Sequence, residues 1–493
     1  MTSQPLAELT MTEQITEAKA ELHGKFYFKP IQNTAVDVKH KYWTFNGTGE
    51  FSPQLAAMEI ARQTIFRRHY TTGDLYAFNP NRGIYEPAET TIDSWVSQNL
   101  CELATTSKST ELHNELKRTA LTATKPDARY IQLQNGLFDL FTGTLQPNNP
   151  GMFFTRQFPF AYDPTATPTT FIKFLSECQP EVKHQKQLLE FIGYCLYYER
   201  PIQKSNIILY GVGSNGKSTF LNVIKAFLGL ENISSLTLQR LESSPFATSG
   251  LLDKYANIQA DLPDERLNST STFKQITGGD AVTVERKGKD SYSAVLPAKF
   301  IMSANNPPEV PDHEPALFRR LMLIEFAQNF EGRENTKLEA QLTTPTELSG
   351  LFNLVHPLLR DLLDRGAFSY APDTKETREI YLNLSRPLYR FIKEMVKYPA
   401  DTDYPTPKAD YFNAYCAWAK QNNKPQYNFQ DFCKRFFNEP EIAGLVRITK
   451  MPMGDDKQGM PAYAGVELLN TPLLSKQPQN TPVQENPFFD PKN

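Results

Sequence analysis

The stretch that most restricts how this chain can fold is Gly211-Val212-Gly213-Ser214-Asn215-Gly216-Lys217-Ser218-Thr219, which fits G-x-x-x-x-G-K-[ST]. Just ahead of it, Asn206-Ile207-Ile208-Leu209-Tyr210 is a short apolar run of strand type. Just behind it, Phe220, Leu221, Ile224, Phe227 and Leu228 recur at helical spacing, and Gly229 closes the run as a C-cap does. Strand, glycine-rich turn and helix in that order is what a phosphate-binding loop needs. The glycines let successive backbone N–H groups face one anion, and the helix N-terminus adds partial positive charge. In that geometry Gly211, Gly213, Ser214, Asn215, Gly216, Lys217, Ser218 and Thr219 are the nucleotide-contacting set. Lys217 reaches the β- and γ-phosphates of ATP, and the Ser218 hydroxyl holds Mg²⁺.

The rest of the composition sets bounds. A chain of 493 residues has room for three or four domains. With 40% hydrophobic and 22% charged residues it reads as globular. A net charge of −3 gives no overall attraction to nucleic acid, so any such contact must be a local patch. The cysteines (Cys101, Cys178, Cys195, Cys416, Cys433) are scattered, with no C-x-x-C pair, which argues against zinc and a disulfide framework and for a reducing compartment. No segment reads as membrane-spanning, and the polar, acidic N-terminus reads as neither signal nor transit peptide.

In chain order, residues 1–50 read as an arm with an amphipathic segment, Leu6–Leu22. Helical spacing over Phe51–Phe66 is followed by a hairpin, Asp74–Tyr85, and by a helical stretch, Thr91–Leu121. Tyr130–Leu145 alternates around Asn135-Gly136 and Gly143, as a small β-meander does. Pro159, Pro164 and Pro168 mark a linker, and Phe171–Leu196 reads as helical. Nothing in the first 200 residues forms a catalytic cluster. Beyond the phosphate loop, Tyr255–Ala260 reads as a strand ending in Asp261, with Asp264 and Glu265 close behind. A carboxylate there can hold Mg²⁺ through water, and a second can orient the attacking water. Val282–Lys289 reads as a hairpin with a basic tip, Arg286-Lys287-Gly288-Lys289. Lys299–Ala304 is the next strand and ends at Asn305-Asn306, where an amide can hold the hydrolytic water. Arg319-Arg320 then opens another buried strand, and one of these guanidinium groups can serve as an arginine finger on a neighbouring subunit's nucleotide.

Taken in order, Gly211–Thr219, the strand ending in Asp261, Lys274 with Thr277-Gly278-Gly279-Asp280, and Ser303-Ala304-Asn305 with Arg319-Arg320 resemble a superfamily 3 helicase. The phage and plasmid primase-helicase branch, related to the C-terminal half of the poxvirus primase-helicase, is the nearest in pattern. Asn135–Gly143 and Phe191-Ile192-Gly193-Tyr194 resemble that branch's helicase-associated domain. The resemblance covers about residues 50–470. It implies an α/β fold in which an AAA+-type P-loop ATPase core with a parallel sheet follows a small α+β domain and precedes a helical lid and a winged helix. It also implies a ring, usually hexameric, that couples ATP hydrolysis to DNA unwinding. By position Asn305 matches the family's sensor, Arg320 is the better fit for its finger with Arg319 as a second finger or sensor, and Arg286, Lys287 and Lys289 fall on its DNA-binding hairpin. Catalytic roles then fall to Lys217, Asp261, Asp264, Asn305 and Arg320, with Ser218 and Asp261 on the metal. Which carboxylate of Asp261-Leu262-Pro263-Asp264-Glu265 orients the water stays open. Many members carry a primase ahead of the helicase, and the residues before Phe51 are too few for one, so a primase or other replication protein is expected in trans.

The expected organisation is an arm 1–50, a helicase-associated domain 51–165, a helical collar 166–200, the ATPase core 201–335, a lid or linker 336–400, a winged-helix-like domain 401–470 and a disordered tail 471–493. In the winged-helix part, Tyr411, Tyr415, Trp418 and Ala419 mark one helix and Phe429, Phe432, Cys433 and Phe436 a second. Val446–Ile448 and Ala464–Leu468 follow as strands. The tail carries Phe488-Phe489, a possible docking peptide. The reading is a replicative DNA helicase of a mobile element in the cytoplasm of a prokaryotic host. Its rivals are an AAA+ initiator or loader that binds origin DNA without processive unwinding, and an origin-binding protein whose ATP site is a switch.

Overall fold

The computed structural model describes residues 35–469 apart from 45–47, 212, 312–314, 334, 402–403, 423 and 454–455. The expected segment Leu6–Leu22 and the tail with Phe488-Phe489 lie outside the described residues, as does Val212 of the phosphate loop. The chain divides into two units, one of residues 1–263, 267–305 and 310–373 and the other of residues 264–266, 306–309 and 374–493.

The first unit begins earlier than the expected arm allows. Helix Ala35–Tyr42 buries Val38 and Tyr42 in the same core as Ile60, Phe66, Trp95 and Leu112, so a domain is already under way well before residue 51. Its sheet runs β3-β2-β1-β4, with β1 at Phe66–Arg68, β2 at Leu75–Asn79, β3 at Ile84–Pro87 and β4 at Leu121–Thr122. The expected hairpin is β2 paired antiparallel with β3. The stretch expected to be one helix from residue 91 to 121 is two, Ala88–Leu100 and Thr106–Thr119, the second capped by the Thr105 hydroxyl. The meander follows as β5 (Tyr130–Leu133), β6 (Gly136–Asp139) and β7 (Thr144–Gln146), all antiparallel.

The stretch Phe171–Leu196, read as helical, holds two helices, Thr169–Cys178 and Val182–Tyr194, because Gln179-Pro180 interrupts it. Next come β8 (Asn206–Tyr210), β9 (Ile233–Ser234) and β10 (Ala256–Gln259). The hairpin β11 (Ala281–Arg286) and β12 (Lys289–Val295) leads to β13 (Lys299–Ala304) and β14 (Leu321–Glu325). β8, β9, β10, β13 and β14 form one wholly parallel sheet in the order β14-β8-β13-β10-β9. Every residue of β13 is buried, as is all of β8 but its last, which is why these strands read as continuous apolar runs. The helix Lys217–Leu228 packs Phe220, Leu221, Ile224 and Phe227 into this core. The segment after residue 336 holds two helices, Leu338–Leu342 and Pro345–Arg365, and the Thr344 hydroxyl caps the N-terminus of the second.

In the second unit the boundary differs from the expected one at 400. Helices Thr374–Ser385 and Pro387–Met395, assigned by sequence to the lid segment, belong with the C-terminal residues. Leu388, Phe391, Ile392 and Met395 share a core with Tyr411, Tyr415, Trp418 and Phe432, which explains the grouping. β15 (Val396–Lys397), β16 (Thr406–Pro407), β17 (Arg447–Met453), β18 (Asp456–Ala464) and β19 (Glu467–Leu468) complete it with helices Lys408–Gln421 and Phe429–Phe437. β17 pairs antiparallel with β18, so the hairpin is longer than the two short strands expected. Glu467–Leu468, expected to belong to that hairpin, pairs with β15 instead.

Lys299 opens β13 and is fully buried. Its ammonium donates to the Tyr197 carbonyl and lies 4.8 Å from the centre of the Tyr194 ring. Burial is the main cause that brings its pKa down from 10.5 to about 7. Between those values the unfolded chain binds more protons than the folded one, so stability rises with pH across the window and the burial penalty is full below about 7. Lys299→Met should therefore flatten the pH dependence of stability. Its advantage over wild type should be largest near pH 6–7 and shrink toward pH 10, with a span on the order of a few kcal/mol. Parallel pH profiles in chemical denaturation would contradict this.

Candidate nucleotide site and basic hairpin

The phosphate loop leaves the carboxyl end of β8, in the crevice position where parallel α/β sheets bind ligands. Gly211 has φ +143°, and a Cβ there would sit 2.4 Å from the Phe326 carbonyl oxygen, so no side chain fits. Ser214 holds φ +56°, a left-handed conformation that costs a non-glycine residue energy and is typical of functional loops. Gly216 at φ +88° turns the chain into the helix that starts at Lys217. Asn215, buried, donates its amide to the Phe326 carbonyl at 2.8 Å, and the Phe330 N–H donates to the Ser214 carbonyl at 2.7 Å. The loop is thus tied to the segment that follows β14.

Lys217 is only 6% exposed. Its ammonium donates to the Gly211 carbonyl at 2.7 Å and to Asn215 Oδ1 at 2.9 Å. Burial lowers its pKa, while the negative charge of Asp261 opposes the shift. Strand register brings Asp261 and Asn305 to the same edge of the sheet as the loop. Ala304 pairs with Tyr210, which sets Asn305 beside Gly211, and the Leu262 N–H donates to the Ser303 carbonyl at 2.7 Å just past Asp261. Both Asp261 and Asn305 are exposed, as is Ser218. One hydroxyl and one carboxylate, both reachable by solvent, suit Mg²⁺, which favours oxygen ligands and keeps several waters. Asp264 is exposed and falls in the 264–266 segment of the second unit.

Beside the loop lies a cleft of about 380 Å³ lined by Ser214, Gly216 and Thr219 on one side, Phe174 on another, and Phe330 and Arg333 on a third. Its wall helix Thr169–Cys178 is fixed at its start by the buried Glu347 carboxylate, which accepts from the Thr170 and Phe171 N–H groups at 3.0 Å each. The Arg333 guanidinium lies 5.8 Å from the Phe330 ring centre. The sequence reading did not find Phe174, Phe330 or Arg333 as site residues, since they lie far apart in the chain and in no motif.

Arg320 stands at the amino end of β14, while the phosphate loop stands at the carboxyl end of β8, its parallel neighbour. The strand's length, roughly 16 Å at ~3.3 Å per residue, separates them within one chain. The Arg320 guanidinium donates to the Ala316 carbonyl, and burial followed by the neighbouring Arg319 charge lowers its pKa, against the pull of Asp280. Arg319 is exposed.

At the hairpin tip, Arg286 Nη1 lies 2.5 Å from Asp74 Oδ2 and Lys289 Nζ lies 3.0 Å from Asp74 Oδ1. Lys287 is exposed and makes no ion pair with a described residue. Of the three expected DNA contacts, two are therefore turned to a carboxylate of the N-terminal sheet region. Nearby is a cluster the sequence reading did not anticipate. His69, buried, accepts at Nδ1 from the Thr71 and Thr72 N–H groups at 3.1 and 3.2 Å, so its proton is on Nε2, 3.2 Å from Asp253 Oδ2. The Tyr198 hydroxyl donates to Asp253 Oδ1 at 3.3 Å. Burial raises the Asp253 pKa, but His69, the Arg156 charge and the Tyr198 hydroxyl together outweigh it and hold the group below its usual range.

The profile of a family described as D5 N terminal like matches residues 33–180, and that of a family of unknown function, DUF5906, matches residues 209–320. Over 212 residues the chain is 28% identical to a protein of Acanthamoeba polyphaga mimivirus named as a candidate helicase, covering 41% of this chain and 22% of that one. Over 232 residues it is 25% identical to a similarly named protein of Invertebrate iridescent virus 6, covering 43% of this chain and 23% of that one. The chain thus spans under a quarter of the length of these relatives. Among solved structures, the C-terminal region of NrS-1 aligns with a TM-score of 0.43 at 13% identity, over 83% of this chain and 97% of that one. No helix among the described residues is long and apolar enough to cross a membrane.

Proposed function

We propose that this chain, which belongs to the phage and viral primase-helicase family, is an ATP-driven DNA helicase that acts in replication. The observation that carries the reading is the phosphate loop, with its strained Ser214 and its buried, doubly bonded Lys217, at the carboxyl edge of a parallel sheet. When ATP is bound, Lys217 exchanges its bonds to Gly211 and Asn215 for the β- and γ-phosphates. Backbone N–H groups of the loop would face the same anion, and Ser218 and Asp261 would be the oxygen donors for Mg²⁺, which would supply neutralisation of the phosphate charge. Asn305 would hold the attacking water, and Asp261 would orient it. The cleft beside the loop takes the base and ribose, with Phe330 as the apolar platform. The sheet order, with β13 between β8 and β10, supports an AAA+-type core, and such a core accords with a ring, hexameric by family resemblance. In a ring Arg320 would act on the neighbouring subunit's nucleotide, and Arg286, Lys287 and Lys289 would contact DNA.

The test is a forked-duplex unwinding assay run beside ATP hydrolysis and a salt titration of single-strand binding. Wild type should separate strands with ATP and Mg²⁺. Lys287→Ala should reduce DNA-stimulated hydrolysis and lower the salt slope of binding by about 0.7, the share of one single-strand phosphate contact. DNA-stimulated hydrolysis without strand separation would favour the initiator or loader reading instead. An unchanged slope and unwinding in Lys287→Ala would remove the hairpin from the DNA path.

A further inference from the structure

We propose that Asp74 is an internal stand-in for a nucleic-acid phosphate, latching the β11–β12 tip to the N-terminal domain until a phosphodiester displaces it. This rests on the reading of the hairpin as the DNA contact and adds a control to it.

The hairpin carries a conflict of charge. Arg286 and Lys289 are directly paired across the two strands, flanking the Lys287-Gly288 turn. Like charges opposite one another destabilise a hairpin. Glu285 and Asp290 lie next to them in sequence, yet no ion pair between these and Arg286 or Lys289 is found among the described residues. The anion that sits between the two cations comes from a distant part of the chain, 212 residues from Arg286. Asp74 places one carboxylate oxygen on each cation, as an oxyanion bridging two phosphate-binding side chains would. The Arg286 guanidinium is also 5.3 Å from the Tyr292 ring centre, which keeps it facing the same way.

The latch is built on a fixed base. Asp74 ends the turn from His69, where the His69 N–H donates to the Asp74 carbonyl at 2.8 Å and the Thr72 hydroxyl accepts from the Asp74 N–H at 3.2 Å. The other end of that turn is pinned by the His69–Asp253 contact, which ties it to the ATPase core. The carboxylate is therefore held by backbone and buried groups, whereas the cations it meets are on a two-stranded tip. The pairs are partly exposed, with side-chain exposures of 21% for Arg286, 27% for Asp74 and 53% for Lys289, so DNA can reach them. Although burial raises the Asp74 pKa, the bonds from Arg286 and Lys289 bring it to about 2, so the latch is charged at any physiological pH. A single strand offers many phosphates and releases counterions on binding, which one carboxylate cannot match once Lys287 has made first contact.

The experiment is a salt titration of binding to a single-stranded thymidine oligonucleotide for wild type, Asp74→Asn, and Asp74→Asn combined with Arg286→Ala and Lys289→Ala. Asp74→Asn should bind more tightly with the wild-type slope, because the same phosphate contacts form once Asp74 is displaced, whereas removing Arg286 and Lys289 should make the slope shallower by about 1.4, the sum of two contacts at ~0.7 each. The triple variant should lose that gain. Tight binding by Asp74→Asn where wild type binds poorly would also support the latch. Equal affinities in wild type and Asp74→Asn, or weaker binding by an Asp74→Asn protein that melts normally, would overturn it and leave Asp74 as a structural brace. If no variant binds the oligonucleotide at all, the DNA reading of the hairpin has failed and the latch fails with it.

Discussion

Lys217→Ala should reduce ATP hydrolysis by about 10² to 10³-fold or more while leaving the fold in place. On the proposed reading the lysine is the side-chain cation that the loop would turn to the phosphates, and charge stabilisation of transferring phosphoryl groups is most of what such a site does. Its removal also takes a donor from the Gly211 carbonyl and from Asn215 Oδ1. Asn215 keeps its bond to Phe326, and the loop keeps the backbone bond from Phe330 to Ser214, so the loop's framework does not depend on the lysine. Steady-state hydrolysis and a thermal melt on the same preparation decide the matter. Turnover near wild type from a protein with an unshifted melt would mean that nucleotide is not held at this loop.

Arg320→Ala should bind ATP as wild type does and hydrolyse it on the order of 10³-fold more slowly, the contribution typical of an arginine finger. The geometry of one chain makes this a strong test. Arg320 stands at the opposite edge of the sheet from its own phosphate loop, so an effect of that size must come from another subunit or from damage to the fold. Damage is controlled for, because the Asn206 N–H and side-chain amide both bond to the Arg320 backbone carbonyl, which alanine keeps. Mixing Arg320→Ala with Lys217→Ala protein provides the second control. A hybrid interface pairs an intact loop from one variant with an intact arginine from the other, and activity should return. Subunit exchange without any recovery would remove Arg320 from the finger role.

What could be read from the sequence was local. The phosphate loop occupies nine consecutive residues, and its flanks carry their own strand and helix patterns, so loop, β8 and the following helix were all legible. β13 and β14 were legible for the same reason, as buried runs with polar ends. Helix continuity was not, where a single Pro180 or a capping Thr344 divides one apolar stripe into two helices. The unit boundary at residue 373 was also hidden, because helix Pro387–Met395 has an apolar face that fits either neighbour, and only the packing of Phe391 on Tyr415 and Trp418 shows which. Pairings across the chain left no mark at all. Asp74 reads as an ordinary turn residue and His69 as an isolated histidine until the fold sets them against Arg286 and Asp253.

β14 joins Arg320 to the phosphate loop mechanically. It is a five-residue rod with Arg320 just before it and Phe326 just after it. The Phe326 carbonyl accepts from Asn215 and closes over Gly211, where no side chain fits between them. Any axial shift of that rod would move the floor under the phosphate loop and the arginine together. If Arg320 engages a neighbour's nucleotide, the state of that nucleotide is felt through one strand at the next loop in line. Subunits wired in this way would fire in sequence around the assembly, each reading its neighbour before it acts.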